Sequence, residues 1–150
     1  MTSSNQLTSE DREKLISLGK AVIQTEANAV TDLLPRIDDN FAEACNFMLH
    51  CKGRIVVTGM GKSGHIGNKI AATLASTGSP AFFVHPGEAS HGDLGMITSQ
   101  DVVLAMSNSG ETGELVTIVP IIKRLGVPLI SMTGNPDSTL SREADVALDI

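Results

Sequence analysis

From Glu10 to Leu34 apolar residues recur at helical spacing. Leu15, Leu18, Val22, Ala29 and Leu33 fall on one line, and Ile16, Ile23, Val30 and Ile37 run beside it. This pattern predicts a long helix whose apolar stripe covers roughly half its circumference, wider than the ~100° that packing on one core requires. Two explanations are open: a second partner such as another subunit, or a helix half sunk in its own domain. A second helix is predicted from Asp39 to His50, with Phe41, Ala44, Cys45 and Met48 facing inward.

Beyond His50 the pattern changes to short apolar runs alternating with helical stretches. Strands are predicted at Arg54 to Thr58, Ala81 to His85, Asp101 to Met106, Pro128 to Thr133 and Asp145 to Ile150. Their near-continuous apolar cores (IVV, AFFV, VVLAM, PLISM, VAL) suit strands covered on both faces, as in a parallel sheet. Helices are predicted at Ile66 to Ser76, Glu114 to Leu125 and Ser138 to Glu143, with a kink or late start in the second of these at Pro120. Strand and helix in alternation imply an α/β fold, a doubly wound five-stranded parallel sheet. In a flavodoxin-like order, 2-1-3-4-5, ligands sit beyond the carboxyl ends of the first and third strands, where the order reverses.

The loop after the first strand, Gly59-Met60-Gly61-Lys62-Ser63-Gly64, matches G-x-G-x-x-G between a strand and a helix. A dinucleotide site also needs an acidic residue about 20 positions on. Here the second strand ends in Phe83-Val84-His85, and Glu88 follows only after Pro86 and Gly87, so that fingerprint is half present. A P-loop needs glycine where Val56 stands, and fails. The loop after the third strand, Ser107-Asn108-Ser109-Gly110-Glu111-Thr112, sets three hydroxyls around a glycine at the start of a helix. Backbone N–H groups there lack intrahelical partners and carry partial positive charge, so with flanking hydroxyls they can cradle a phosphate. A single serine or threonine is an ordinary helix cap. Three of them at the ligand edge favour an anion site, with Lys62 and Ser63 opposite, sized for one phosphate on a small polar molecule.

Charge narrows the choice further. The chain of 150 residues carries a formal net charge of -6, which argues against a nucleic-acid partner, since neutralising phosphates takes a basic surface. Two cysteines, Cys45 and Cys51, make no disulfide framework or zinc knuckle and are expected to be reduced core residues. The first residues lack a signal-peptide pattern and no apolar run spans a bilayer, so a cytoplasmic protein with no membrane partner is expected. No repeat or proline-rich linker divides the chain.

GMGKSG followed by AATLASTG, then FFVHPGEASHGDLGM, then SNSGET closely resembles the sugar isomerase (SIS) domain of bacterial D-arabinose 5-phosphate isomerases. The resemblance runs from about residue 40 to the end, and HPGEASHGDLG separates this family from other SIS proteins. It implies interconversion of D-ribulose 5-phosphate and D-arabinose 5-phosphate, the precursor of the Kdo sugar of lipopolysaccharide, with no cofactor or metal. Such an isomerisation passes through an enediol and needs a base, a group that polarises the carbonyl and a grip on the phosphate. By resemblance Ser63, Ser107, Ser109 and Thr112 grip the phosphate, with Gly61, Asn108 and Gly110 in the same loops, and Lys62, Glu114 and His91 occupy active-site positions.

Lys62 suits charge stabilisation on the enediolate oxygen. Glu114, one turn into its helix, suits a base if partly buried, and Glu111 competes for that role. His91 could open the sugar ring, shuttle a proton or contact substrate. His85, His91 and Asp93 could catch a transition metal, though their spacing carries no strong ligand signature. The expected organisation is an N-terminal helical segment over residues 1–38 that makes an oligomer contact, then a SIS domain over 39–150 that ends before its closing helix, with CBS modules downstream. SIS domains commonly pair, so a homodimer or homotetramer is expected. Two other readings stand beside the isomerase: a phosphosugar-binding SIS module without catalysis, and a dinucleotide enzyme resting on GMGKSG alone.

Overall fold

The computed structural model describes residues 7–89 and 92–150. The chain divides into two compact units, Met1–Pro35 and Arg36–Ile150. The first holds α1 (Ser9–Thr31), started by a capping box in which Thr8 Oγ1 accepts the Asp11 N–H while the Asp11 carboxylate accepts the Thr8 N–H. Those bonds with Thr8 hold the Asp11 carboxyl below its ordinary pKa. α1 buries none of its residues. It stops at Thr31 rather than running to Leu34, so Leu33 and Ile37 fall outside its stripe.

The second unit begins with α2 (Asp39–Leu49), capped by the Asp38 carboxylate, which accepts the Asn40 and Phe41 N–H groups. Its inward face is built on Ala44, with Phe47 and Met48 packed on the core. Phe41, expected inside, is exposed at 41%. Phe47 takes the inward position instead, packed on the core with Met48 and Cys51.

Five strands follow: β1 (Ile55–Gly59), β2 (Ala81–Val84), β3 (Val102–Met106), β4 (Leu129–Thr133) and β5 (Val146–Asp149). They pair in parallel, as the alternation predicts, in the flavodoxin-like order β2-β1-β3-β4-β5. β1 and β3 are buried along their whole length. Alternate residues face two separate cores, one holding Val56, Val103 and Ala105 with Leu115 and Ile118, the other Val57, Leu104 and Ile130 with Ala44 and Ala71.

Between the strands run α3 (Gly61–Ser76), α4 (Pro86–Ala89), α5 (Gly113–Leu125) and α6 (Thr139–Glu143), with a 3-10 turn at Asp93–Met96. α3 starts five residues earlier than predicted. Glycine is a poor helix former, but Gly64 and Gly67 are buried where α3 presses on the sheet. A Cβ on Gly64 would lie 2.7 Å from the Gly59 carbonyl oxygen, and one on Gly67 would lie 3.2 Å from Val57 and Phe83. Close packing therefore overrides propensity. α5 runs unbroken past Pro120 from Gly113, so the proline neither delays its start nor ends it. The short α4 went unpredicted because four residues carry no period to read.

Two aspartates, one buried and one exposed, tie the amino ends of the strands. Asp101, 2% exposed, accepts the Arg54 and Thr98 N–H groups at 2.7 Å each, and Asp145 accepts the Leu129 N–H at 2.8 Å. The opposite, carboxyl edge is left to glycine-rich loops.

Candidate functional site

The β1–β3 register ends on the pair Gly59 and Met106, so the two loops that follow leave the sheet side by side at the point where strand order reverses. In the first, Gly61 adopts φ 55° and opens α3, which puts Lys62 and Ser63 in its first turn. Lys62 is exposed and Ser63 half-buried.

In the second loop two of the three predicted hydroxyls, those of Ser107 and Thr112, are drawn together. Ser107, nearly fully buried, and Thr112 share a hydrogen bond at 2.8 Å, and Ser107 Oγ also accepts the Gly110 N–H at 3.1 Å. Ser109 Oγ accepts the Glu111 N–H at 3.2 Å. Gly110 is required twice over: its φ of 65° disfavours L side chains, and a Cβ there would collide with the Ser138 hydroxyl. Asn108 contributes its carbonyl, which accepts from Thr133 Oγ1 at 3.2 Å and from the Gly134 N–H at 3.0 Å.

The two candidate carboxylates separate. Glu111 Oε1 accepts the Thr139 N–H at 2.6 Å. That backbone bond, helped by the Thr139 hydroxyl and by Arg142, pulls the Glu111 carboxyl below its ordinary pKa. An engaged carboxylate of lowered basicity is a poor proton acceptor for chemistry near neutral pH. Glu114, in the first turn of α5, makes no such bond among the described residues. It is exposed rather than partly buried. His91 lies outside the described residues, as does the side chain of Asp93, and the metal reading that joined them to His85 lies there with them. His85 Nδ1 accepts the Gly87 N–H at 3.2 Å. No group of three or more potential metal ligands occurs among the described residues.

Which helices lack caps is informative. α1, α2 and α6 each begin with a side chain that accepts a backbone N–H, from Thr8, Asp38 and Ser138 respectively. α3 and α5, the two that start at the reversal point, have no side-chain cap. Thr112 stands at the N-cap of α5, yet its hydroxyl turns to Ser107 instead of capping. Both helix starts thus leave backbone N–H groups without a side-chain acceptor, at the edge of the sheet from which the two loops depart.

Beside the first loop a cavity of about 190 Å³ is lined by Gly61, Gly64, His65, Asn68, Phe83 and His85. Larger cavities of about 290 and 360 Å³ share Phe47 and Pro128 at the amino ends of the strands. They lie at the wrong edge of the sheet for this site.

Residues 48–150 match the family model of the SIS domain. The chain belongs to the SIS domain family. It is 64% identical over 134 residues to the arabinose 5-phosphate isomerase KdsD of Pseudomonas aeruginosa, covering 89% of this chain and 41% of that protein. With KdsD of Escherichia coli K12 it shares 59% identity over 130 residues, 87% of this chain and 40% of that protein. The chain thus spans about two-fifths of the length of these relatives. Among solved structures, an Escherichia coli CFT073 protein in complex with arabinose 5-phosphate superposes with a TM-score of 0.87 at 42% identity, covering 95% of this chain and 74% of that one. The five-stranded parallel α/β sheet is therefore a SIS fold in both sequence and shape.

Sequence reasoning missed the β4–α6 connection. Thr133, Ser138 and Thr139 all brace the serine loop. The local signal, Asn-Pro-Asp-Ser before a helix, announces only a turn and a cap; contact with a loop some 25 residues earlier leaves no trace in spacing.

Proposed function

We propose that this chain is the SIS domain of an aldose–ketose isomerase that interconverts D-ribulose 5-phosphate and D-arabinose 5-phosphate. The observation that carries the reading is that α3 and α5, which follow the two adjacent strands at the reversal point, both start without a side-chain cap, while Ser107, Ser109 and Thr112 lie in the loop that leads into α5. The named activity of the KdsD relatives and the arabinose 5-phosphate bound by the structural neighbour support the same ligand class.

In this reading the phosphate sits on the N–H groups of the two loops, with Ser63, Ser107, Ser109 and Thr112 donating to its oxygens and Gly61, Asn108 and Gly110 shaping the cradle. The sugar chain then extends past Lys62 and Glu114. Starting from the aldose, Glu114 removes the proton on C2, and Lys62 offsets the charge that develops on the carbonyl oxygen. Reprotonation at C1, with one hydroxyl proton passing from O2 to O1, yields the ketose. His91 assists as a proton carrier or substrate contact. No cofactor enters this scheme. The enzyme works in the cytoplasm as a homodimer or homotetramer, with its product destined for Kdo and lipopolysaccharide. Among the described residues no helix is long and apolar enough to cross a membrane.

The test compares pentose phosphates, hexosamine phosphates and NAD(P) as stabilisers in thermal shift, since a ligand bound only by the folded state raises its stability, and then assays the full-length protein for arabinose 5-phosphate turnover. Stabilisation by pentose phosphate together with turnover is expected. Stabilisation without turnover in the full-length protein would instead make it a phosphosugar-binding module, and stabilisation by NAD(P) alone would return the reading to a dinucleotide site.

A further inference from the structure

The geometry points to Glu111 as a positioning residue that clamps the phosphate-gripping loop to the start of α6 and never touches substrate. The inference rests on reading residues 107–112 as the phosphate site.

Glu111 is held at both ends. Its own N–H donates to Ser109 Oγ at 3.2 Å, and its carboxylate accepts the Thr139 N–H at 2.6 Å. One residue earlier, the Gly110 carbonyl accepts the Leu140 N–H at 3.1 Å, and Gly110 packs so closely on Ser138 that no Cβ would fit. The loop is thus fastened to successive N–H groups of α6, one through backbone and one through the Glu111 side chain. Inside the loop, the Gly110 N–H is taken by Ser107 Oγ, whose hydroxyl also meets Thr112. The chain of bonds runs from Thr139 through Glu111 to Ser109, and from Leu140 through Gly110 to Ser107.

Two consequences follow. Asn108 is anchored through its carbonyl to buried Thr133, but Ser109 and Glu111 are exposed and are held by these bonds rather than by core packing. Without the carboxylate this end of the loop must be ordered anew each time a phosphate binds, and that entropy cost subtracts from affinity. The second consequence is electrostatic. A carboxylate two residues from Ser109 would repel a phosphate dianion if it swung inward, and the bond to Thr139 keeps it turned toward α6.

The experiment uses the full-length protein, with arabinose 5-phosphate binding followed by calorimetry and turnover by steady-state kinetics. Glu111→Ala is expected to weaken binding and raise KM about tenfold, the effect of ~1.4 kcal/mol, while kcat stays within about threefold, because the lost interaction is common to ground and transition states. Glu111→Gln should restore most of the affinity, since an amide oxygen still accepts the Thr139 N–H. Thr139→Pro deletes the donor instead. Thr139 is the first residue of α6, where proline is well tolerated, and Ser138 before it already has the extended backbone that proline demands (φ -71°, ψ 160°). It should reproduce the KM of Glu111→Ala, and the double variant should be no worse than either single one. A wild-type KM in Glu111→Ala, a fall in kcat at constant KM, or a Glu111→Gln variant as impaired as the alanine would each overturn the inference. Ser107→Ala separates the two layers. If it too binds normally, the phosphate-site reading has failed; if it binds weakly while Glu111→Ala does not, the site stands and only the clamp falls.

Discussion

In the proposed mechanism Ser107 and Glu114 do different work near the start of α5, and substitution should separate them. Ser107 is buried and already bonded to Thr112 and Gly110, so its hydroxyl is oriented before any ligand arrives. Replacing Ser107 and Ser109 together by alanine removes two donors to a charged group, each worth ~1.5–3 kcal/mol. Calorimetry should show a loss of at least tenfold in pentose-phosphate affinity with an unchanged circular-dichroism spectrum; retained affinity would remove the serine loop from the phosphate site. Glu114→Gln leaves that loop intact. It should bind phosphosugar normally yet turn over ~10²–10⁴-fold more slowly, the usual contribution of a general acid–base group. Lys62→Ala should impair binding and rate together, because a cation beside phosphate and enediolate acts on both states. If Glu114→Gln keeps the wild-type rate in the full-length protein, the base is another residue, and Glu111, tied to Thr139, is a poor substitute.

Elements of this chain are organised by what caps them. At the amino edge Asp101 accepts two backbone N–H groups while 2% exposed, so Asp101→Ala strands the N–H groups of Arg54 and Thr98 next to Gly53, which packs against this carboxylate. Chemical denaturation should show a loss of about 2–3 kcal/mol, and Asp101→Asn a smaller one, since its amide keeps one acceptor. Equal stability of all three proteins would show that solvent replaces the carboxylate. All five strands were legible because short, near-continuous apolar runs such as Ile55-Val56-Val57 and Val102-Val103-Leu104 suit strands covered on both faces, whereas their order entered only as the condition that the sheet be flavodoxin-like. The serine loop was legible too, because hydroxyls cluster there beyond what one cap needs. What stayed hidden was long-range: Phe47 displacing Phe41, α3 starting in glycines that propensity disfavours, and Glu111 spent on α6. Each depends on a neighbour distant in sequence, which periodicity does not report.

For the whole molecule the open question is what α1 packs against. Leu15, Ile16, Leu18, Val22, Ile23 and Val30 are each more than half exposed on this one helix. Covering a large aliphatic side chain contributes about 1.5–3 kcal/mol, so six of them on 23 residues form a strong drive to associate. A helix apolar around this much of its circumference is expected to be buried. We therefore predict that the full-length protein is a symmetric dimer or tetramer in which α1 lies between copies, closed symmetry being the common outcome for identical chains. Light scattering at micromolar concentration should give a mass at least twice that of one full-length polypeptide. Ile16→Asp with Ile23→Asp places two charges on the line beside Leu18 and Val22, and should lower the mass without unfolding the sheet, whose core contains no α1 residue. A monomeric parent protein would refute the assembly. An intact oligomer in the double variant would leave the assembly standing and move its interface off α1.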